Sequence, residues 1–177
     1  MTVASVSERL GSPTGSFYHR FASRGVLVGL LWIQAVLKFQ TAISGALEAN
    51  DGLQAALHTP AWVREHPEQA RVLLLYDRKD FLNGEWPPEL RERVAEMTTR
   101  IEGGSRKWAR VTFGKETREE IRLAQFLISE LPIAAVRQHL LRGESPPPVI
   151  DQIIQTTYNA VLVNYRTRKK LTRTRTA

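Results

Sequence analysis

The chain has 177 residues, of which 42% are hydrophobic and 24% charged, and neither value points to an intrinsically disordered protein. It contains no cysteine, so disulfides, thiolate metal ligands and a cysteine nucleophile are excluded. The formal net charge of +7 is concentrated at the C-terminus, where six basic side chains account for all but one of the net positive charges. These six are Arg166, Arg168, Lys169, Lys170, Arg173 and Arg175.

The first residues predict two short helices joined by a tight turn. An apolar residue recurs at every third or fourth position from Val3 to Leu10, which is typical of one buried helical face. Gly11 suits the left-handed residue that ends a helix, and Pro13 suits the first turn of the next helix. This second helix is predicted to run to Phe21.

Capping residues, proline and glycine divide the following segment into further helices. Ser23 is a good N-cap and predicts a long helix to about Leu47. The predicted order after it is a short helix over residues 53–57 capped by Asp51, a second opened by Pro60, a third over residues 68–76 opened by Pro67, a loop over residues 77–85, and a long helix opened by Pro87 and Pro88.

Two glycines and a capping motif shape the next part of the chain. Gly103 and Gly104 are predicted to kink or end the long helix near Trp108. Thr117 and Glu120 have the spacing of a capping box, in which each side chain bonds the backbone of the other residue. A new helix is therefore predicted to begin at this pair.

The C-terminal third is predicted to hold two helices and a tail. The helix that begins at the capping box is expected to continue past Pro132 with a bend, to Leu141, where Gly143 closes it. A last helix is predicted from Ile150 to Tyr165, followed by a basic, disordered tail over residues 166–177. Because no convincing period-two alternation occurs, the predicted fold class is all-α, with about eight helices.

Residues 2–27 have the features of a helix-turn-helix. Gly11 allows two short helices to cross steeply, and the apolar residues of both helices would fix that crossing. Hydroxyl, aromatic and cationic side chains cluster near the start of the second helix, where recognition helices enter the major groove. Such groups bond base edges and phosphates, and a glycine lets the backbone approach DNA. The predicted DNA-binding residues are Thr14, Gly15, Ser16, Tyr18, His19, Arg20 and Arg24.

The order Gly-Ser-Pro-Thr-Gly-Ser-Phe-Tyr-His-Arg-Phe-Ala-Ser-Arg, Gly11 to Arg24, resembles the signature of the TetR/AcrR family of transcriptional regulators, over roughly residues 2–31. The resemblance implies an N-terminal helix-turn-helix domain over residues 1–31, a helical ligand-binding and dimerisation bundle over residues 32–165, and the tail. It also implies a homodimer formed through the last two helices, and a repressor that a small molecule releases from palindromic double-stranded operator DNA. In the family a first helix precedes the motif, and here the sequence begins at the second, so the first is expected to be missing.

Aromatic side chains in the larger part of the chain are candidates for a cavity that accepts an apolar or aromatic effector. For any single one of them, plain core packing is the competing interpretation. No cofactor and no metal are expected, because the four histidines make no close pair at ligand spacing. The predicted ligand-binding residues are Trp62, Tyr76, Phe81, Trp108 and Phe126.

Two other functions remain as hypotheses. The chain could be a helical sensor or protein-interaction module with a degenerate N-terminus that does not bind DNA, which the missing first helix favours. A helical enzyme is the third hypothesis, but no catalytic constellation supports it, and the chain is predicted not to be an enzyme. The protein is predicted to be cytoplasmic and without a membrane partner, because the apolar run over residues 26–37 is shorter than the roughly 20 residues of a span. The basic tail could touch DNA phosphates or anionic membrane, or could only aid solubility.

Overall fold

The computed structural model describes residues 24–75 and 88–174, and over these ranges the chain is helical without strands. The all-α fold class is therefore confirmed for this part of the chain. The two short helices predicted over residues 2–21 and the loop predicted over residues 77–85 lie outside the described residues.

The helices follow one another with short connections. In chain order they are α1 (Arg24–Glu48), α2 (Gly52–Glu65), α3 (Pro67–Leu75), α4 (Pro88–Phe113), α5 (Arg118–Gln125), a π-helical turn (Phe126–Glu130), α6 (Leu131–Arg142) and α7 (Val149–Thr174).

The helices pack as a bundle around one main core. Helix α1 lies against α4 and α2, while α2 also contacts α6, α7 and the π turn. Helix α2 is thus central, and its buried residues lie along one side of the helix, at positions 52, 55, 56, 59, 60, 62 and 63. Trp108 of α4, 1% exposed, is among the largest fully buried side chains of the core.

Helix α1 confirms the long helix predicted from Ser23 onward, and it runs without a break through the domain boundary expected between residues 31 and 32. Its segment Val26–Glu48 is long and apolar enough to cross a bilayer by length and composition, which the run over residues 26–37 alone is not. One face of the segment packs in the bundle and buries Ile43 and Leu47, as the core helix of a globular protein does.

Helix α2 corrects the prediction of two short helices. Asp51 does cap it, because its side chain accepts a hydrogen bond of 2.9 Å from the backbone N–H of Gln54. Pro60, however, lies inside the helix instead of opening a new one. Proline removes one backbone hydrogen bond at a cost of about 3 kcal/mol. The uninterrupted buried stripe on both sides of Pro60 offsets that cost, so the helix continues to Glu65.

Helix α4 does not end at Gly103 and Gly104, since it continues through both to Phe113. A methyl group added at Gly104 would lie 3.3 Å from Cδ1 of Leu47 on α1. The absence of a side chain at Gly104 therefore lets two helices approach closely. At Gly103 a methyl group would meet nothing within 4 Å.

The capping box at Thr117 and Glu120 is confirmed, and so is a continuous helical path past Pro132. The helix departs from regular α-helical hydrogen bonding at this point. Pro132 has no N–H for the carbonyl of Ile128, four residues earlier, and in the turn before it the helix widens. There the N–H of Leu131 bonds the carbonyl of Phe126, five residues back, which defines the π turn.

The connection to the last helix is tied to α2. Gly143 adopts the left-handed conformation with φ of 73° and closes α6 as predicted. Arg64 then donates to the carbonyl of Pro146 at 2.9 Å and to the carboxylate of Asp151, in the first turn of α7, at 2.6 Å. This arginine therefore fixes where α7 starts relative to α2.

The prediction of a disordered tail is wrong for residues 166–174, because α7 continues through them to Thr174. Lys169 gives the physical reason. Its Nζ donates to the carbonyl of Phe113 at 2.8 Å and lies 5.9 Å from the ring centroid of Tyr165. A cation at the C-terminal end of α4 is favourable for that helix, and the contact holds the end of α7 against the bundle.

Candidate functional site

A cavity lies between α1, α4, α5 and the π turn. Its volume is about 480 Å³, which falls in the range of roughly 300–1,000 Å³ typical of small-molecule sites. The lining residues are Phe39, Gln40 and Ile43 of α1, Ile101, Glu102, Ser105 and Arg106 of α4, Ile121 and Gln125 of α5, and Ile128, Ser129 and Glu130 of the π turn.

The lining changes from apolar to charged between the interior and the surface. Phe39, Ile43 and Ile128 are buried, together with the hydroxyl-bearing Ser105. The three charged residues of the lining, which are Glu102, Arg106 and Glu130, are exposed. The buried part of the cavity is therefore apolar with a few neutral polar groups, and charge is confined to its rim.

One polar group of the lining has no partner. Gln40 is partly buried on α1, and no group in the described parts of the chain donates a hydrogen bond to its buried Oε1. A carbonyl oxygen that is removed from water and left unpaired costs about 1–3 kcal/mol. Gln40 is thus a polar residue at an otherwise apolar wall with unused hydrogen-bonding capacity.

Two more unpaired groups lie behind the cavity on α2. His58 packs its ring 5.4 Å from that of Phe39, and its Nε2, like the hydroxyl of Thr59, is buried without a partner among the described residues. Burial lowers the pKa of His58, although a hydrogen bond to the Phe39 backbone works in the opposite direction. The α2 side chains next to Phe39, His58 and Thr59, are therefore neutral as well.

The π turn forms one wall of the cavity through Ile128, Ser129 and Glu130. Single π turns inside α-helices occur frequently at functional sites, because they rotate side chains away from the regular α-helical register. The charge of Glu130 is already paired, since Arg122 of α5 bonds its carboxylate and lowers its pKa.

Three of the aromatic residues predicted to bind ligand, Trp62, Trp108 and Phe126, are described, and they do not line this cavity. Trp62 and Trp108 are fully enclosed in the core, where Trp62 lies 5.0 Å from the ring of Phe39 and Trp108 lies 5.5 Å from that of Phe113. Phe126 is partly buried and packs on the same core. Core packing is therefore the role that these three have here. Tyr76 and Phe81 lie outside the described residues.

Sequence reasoning missed Gln40 and Ser105. Each is a polar residue within an apolar helical stripe: Gln40 stands between Val36 and Ile43 on α1, and Ser105 stands between Ile101 and Trp108 on α4. A polar side chain in such a position was a signal available in the sequence, because helical periodicity predicts that it faces the interior.

Of the seven predicted DNA-binding residues, Arg24 alone is described, and it does not line this cavity. Arg24 is the first residue of α1. The other six lie outside the described residues, and they are Thr14, Gly15, Ser16, Tyr18, His19 and Arg20.

A second surface of interest runs along α7. Its exposed surface carries a largely apolar strip with polar residues on both sides. The apolar strip recurs at spacings of three and four residues and is the face a second helix would cover. We call it the α7 strip, and its members are Val149, Ile153, Thr156, Ala160, Val163, Thr167 and Leu171. The polar side carries Gln152, Gln155, Asn159 and Arg166.

A shallow groove adjoins the α7 strip where α7 meets α5. Its volume is about 460 Å³, and Glu119 and Leu123 of α5 line it together with Thr156 and Ala160 of the strip. The opposite side of α5 faces the cavity through Ile121 and Gln125. Helix α5 is therefore the wall that separates the cavity from the groove.

A buried carboxylate at the start of α5 links that helix to α7. Glu120, 3% exposed, accepts hydrogen bonds from the hydroxyl of Tyr165 at 2.6 Å, from the backbone N–H of Thr117 at 3.2 Å, and from the Thr117 hydroxyl. The Thr117 hydroxyl first, and Tyr165 next, hold the pKa of Glu120 below its usual value. Burial, assisted by the bond to Glu120, raises the pKa of Tyr165 to about 12.

Within residues 24–75 and 88–174, no group of three or more histidine or carboxylate side chains is placed to hold a metal ion. Comparison with known proteins adds no assignment, because no family model, no curated protein and no solved structure matches the chain.

Proposed function

We propose that the protein is a ligand-responsive, DNA-binding transcriptional regulator: a cytoplasmic repressor that leaves a palindromic operator when a small molecule occupies the cavity between α1, α4 and α5. One observation carries the proposal. Helix α1 includes Arg24, the last residue of the helix-turn-helix signature, and the same helix lines the cavity at Phe39. At 1.5 Å per residue these two points are about 22 Å apart.

The mechanism follows from this continuity. A helix moves as a rigid element over a few turns, so a ligand that wedges against Phe39 and Ile43 changes the favoured tilt of α1. The recognition helix that the sequence predicts just before α1 would change its position with it. A ligand that binds better to the tilted state than to the DNA-bound state lowers the affinity for DNA by that difference.

The α7 strip supports the dimeric part of the proposal. An exposed row of valine, isoleucine, alanine and threonine suits a second copy of the same helix, because a two-fold axis places each strip against its mate. Two recognition helices related by that axis would contact half-sites about 34–36 Å apart, which makes the operator palindromic.

DNA binding is tested by fluorescence anisotropy with labelled DNA from upstream of the gene, in the presence of random competitor DNA and over a range of salt concentrations. We expect saturable binding that survives the competitor and weakens steeply with salt. Arg20→Ala should weaken binding to every sequence, while Tyr18→Ala should also reduce sequence preference. Arg137→Ala, which removes an exposed arginine of α6, is the matched control and should change nothing.

Binding that the competitor abolishes, or that survives Arg20→Ala unchanged, would overturn the regulator proposal. The helical sensor or interaction module with a degenerate N-terminus would then be the working hypothesis.

The dimer is tested with two neighbouring substitutions. Ala160→Asp places a charge on the α7 strip, whereas Asn159→Asp places the same charge one residue away on the polar side. In sedimentation velocity we expect the first variant to be monomeric and the second to remain dimeric, because a charge buried at an interface without a partner is strongly unfavourable. Equal behaviour of the two variants would contradict an interface at this strip.

A further inference from the structure

Positive charge is concentrated in two segments of the chain that the fold brings together. Residues 105–120 and 164–174 contain ten lysines and arginines against three glutamates, a difference that equals the whole net charge of +7. Lys169 bonds the carbonyl of Phe113 at 2.8 Å, so the end of α7 lies at the end of α4. We call this surface the basic end, and its described members are Lys115, Arg118, Arg166, Arg168 and Lys169.

Several cations of the basic end are not neutralised by a carboxylate. Lys115, Arg118 and Arg166 are exposed, and none of them forms an ion pair with a residue of the described ranges 24–75 and 88–174. The helical order of α7 through Thr174 also fixes where its cations project. The basic end is therefore a charged surface of defined shape.

The carboxylates near the basic end are largely engaged in other contacts. Glu116 is paired with Arg110 at 2.7 Å, and Glu120 is buried against hydroxyl groups. Asp51, in the connection before α2, caps that helix. Glu119 is exposed at the start of α5 and is the remaining carboxylate of the segment 105–120. One available carboxylate does not balance the cations around it, so the basic end favours an anionic partner.

The basic end lies far from the start of α1. Helices α1 and α4 run in the same direction, because Trp32 packs with Val94, whereas Leu47 adjoins Gly104. The basic end lies at the C-terminal end of α4, while Arg24 is at the opposite end of α1. At 1.5 Å per residue, Arg24 and Leu47 are about 35 Å apart. A partner at the basic end is thus separate from the recognition helix that the sequence predicts before α1.

The basic end has charge but little exposed apolar surface. The α7 strip contributes only Thr167 and Leu171 within residues 164–174, and Tyr165 is turned inward to its bond with Glu120. Protein interfaces have an apolar and aromatic core, membrane-bound helices bury an apolar face, and single-stranded nucleic acids stack on exposed aromatic rings. The phosphate backbone of a duplex, in contrast, binds cations by charge alone, through release of its counterions.

We propose that the basic end binds the phosphodiester backbone of a nucleic acid duplex without reading its bases. This surface is separate from the predicted recognition helix, and its binding does not depend on the regulator being correct. A chain that also binds an operator would hold a second segment of duplex at its opposite end.

The test is the binding of labelled duplex DNA of random sequence to the full chain, measured by fluorescence anisotropy over a range of salt concentrations. One variant combines Lys115→Ala, Arg166→Ala and Arg168→Ala, and keeps Lys169 because it contacts the end of α4. Each phosphate contact contributes about 0.9 to the slope of log K against log salt. We expect this variant to bind more weakly, with a slope smaller by roughly 2–3.

A second triple variant controls for the change in net charge. Lys38→Ala, Arg137→Ala and Arg142→Ala remove three exposed cations from α1 and α6, so the two variants have the same formal charge. The control should keep the slope of the wild type, and circular dichroism should show both variants folded. Duplex RNA should depend on the basic end in the same way as DNA, because the two share the phosphodiester backbone.

Equal salt slopes for the two triple variants would overturn the proposal, because net charge rather than the basic end would then govern binding. It also fails if the substitutions at the basic end abolish binding to vesicles of anionic phospholipid but leave duplex binding unchanged. The regulator is judged separately, by binding to upstream DNA that survives random competitor. Absence of that binding, in a chain whose random-duplex binding requires the basic end, overturns the regulator and supports the present proposal.

Discussion

Helices α4 and α5 contribute to two regions that differ in whether their buried polar groups have hydrogen-bond partners. At their junction, the buried carboxylate of Glu120 has three hydrogen bonds, and Trp108 nearby is enclosed by aromatic rings. At the cavity, on the same two helices, Ser105 and Gln125 face a space of about 480 Å³, and Gln40 opposite them keeps an unpaired oxygen. The closed junction specifies the position of the helices, whereas the cavity leaves room for another molecule.

The largest effect that tests this contrast is expected from Trp108→Ala. The side chain is 1% exposed and packs on Phe113 and Tyr158, with ring centroids 5.5 and 6.1 Å away. Its loss should lower the free energy of unfolding by about 3–5 kcal/mol, measured by urea denaturation. Val111→Ala on the same helix is the exposed control and should change stability by about 0.5 kcal/mol or less. A small effect at Trp108 would mean that the closed region is not the stable part of the bundle.

A smaller loss is expected when the buried carboxylate is removed. Glu120→Ala leaves the hydroxyls of Tyr165 and Thr117 without their acceptor and should cost about 1.5–3 kcal/mol, since hydrogen bonds to charged groups are the stronger ones. Tyr165→Phe should account for part of this loss. In a double-mutant cycle the two effects should be non-additive, because the groups touch. Additive effects would mean that the hydrogen bond between Glu120 and Tyr165 does not contribute to stability.

Gly52→Ala probes how tightly the closed region is packed. A Cβ at this position would lie 2.4–2.5 Å from ring atoms of Trp108, so the substitution should destabilise the protein by about 1–3 kcal/mol through overpacking. Gly45→Ala on α1 is the opposite case, because nothing lies within 4 Å of its Cβ. That substitution should stabilise the helix by about 0.5–1 kcal/mol. Thermal unfolding of both variants decides whether their signs differ.

The pH dependence of stability should show the smallest effect. The folded pKa of Glu120 is below its unfolded value, so its ionisation stabilises the folded state. This contribution is fully present above the unfolded pKa, about 4.3, and is lost as the pH falls through the folded value. Urea unfolding between neutral and acidic pH should therefore show a shallower decline for Glu120→Gln than for the wild type. Parallel curves would contradict the depressed pKa.

Local sequence chemistry predicted the helix ends that depend on neighbouring residues. Asp51, the pair of Thr117 and Glu120, and Gly143 each form the cap expected of them, because a cap involves only residues within one turn. Pro60 was misjudged for the opposite reason. The burial that keeps α2 continuous through it comes from other helices, which the local sequence does not show.

The cavity was predicted less well than the fold. Aromatic content suggested tryptophans as its lining, but a large flat side chain gains most when it is fully enclosed, and both Trp62 and Trp108 are. Gln40 and Ser105, the two lining residues that sequence reasoning missed, could be recognised only as polar residues that interrupt apolar helical stripes. The helix over residues 166–174 likewise makes a long-range contact, from Lys169 to the end of α4, which composition could not predict.

The π turn before Pro132 has a consequence for how this helix tolerates changes in length. Because its hydrogen bond joins residues five apart, the turn contains one residue more than an α-helical turn would. Deletion of Ser129 would restore α-helical spacing and bring the proline ring against a carbonyl that the wider turn now spares. The extra residue and the proline therefore depend on each other, and a change that removes one is best accommodated when the other is replaced at the same time.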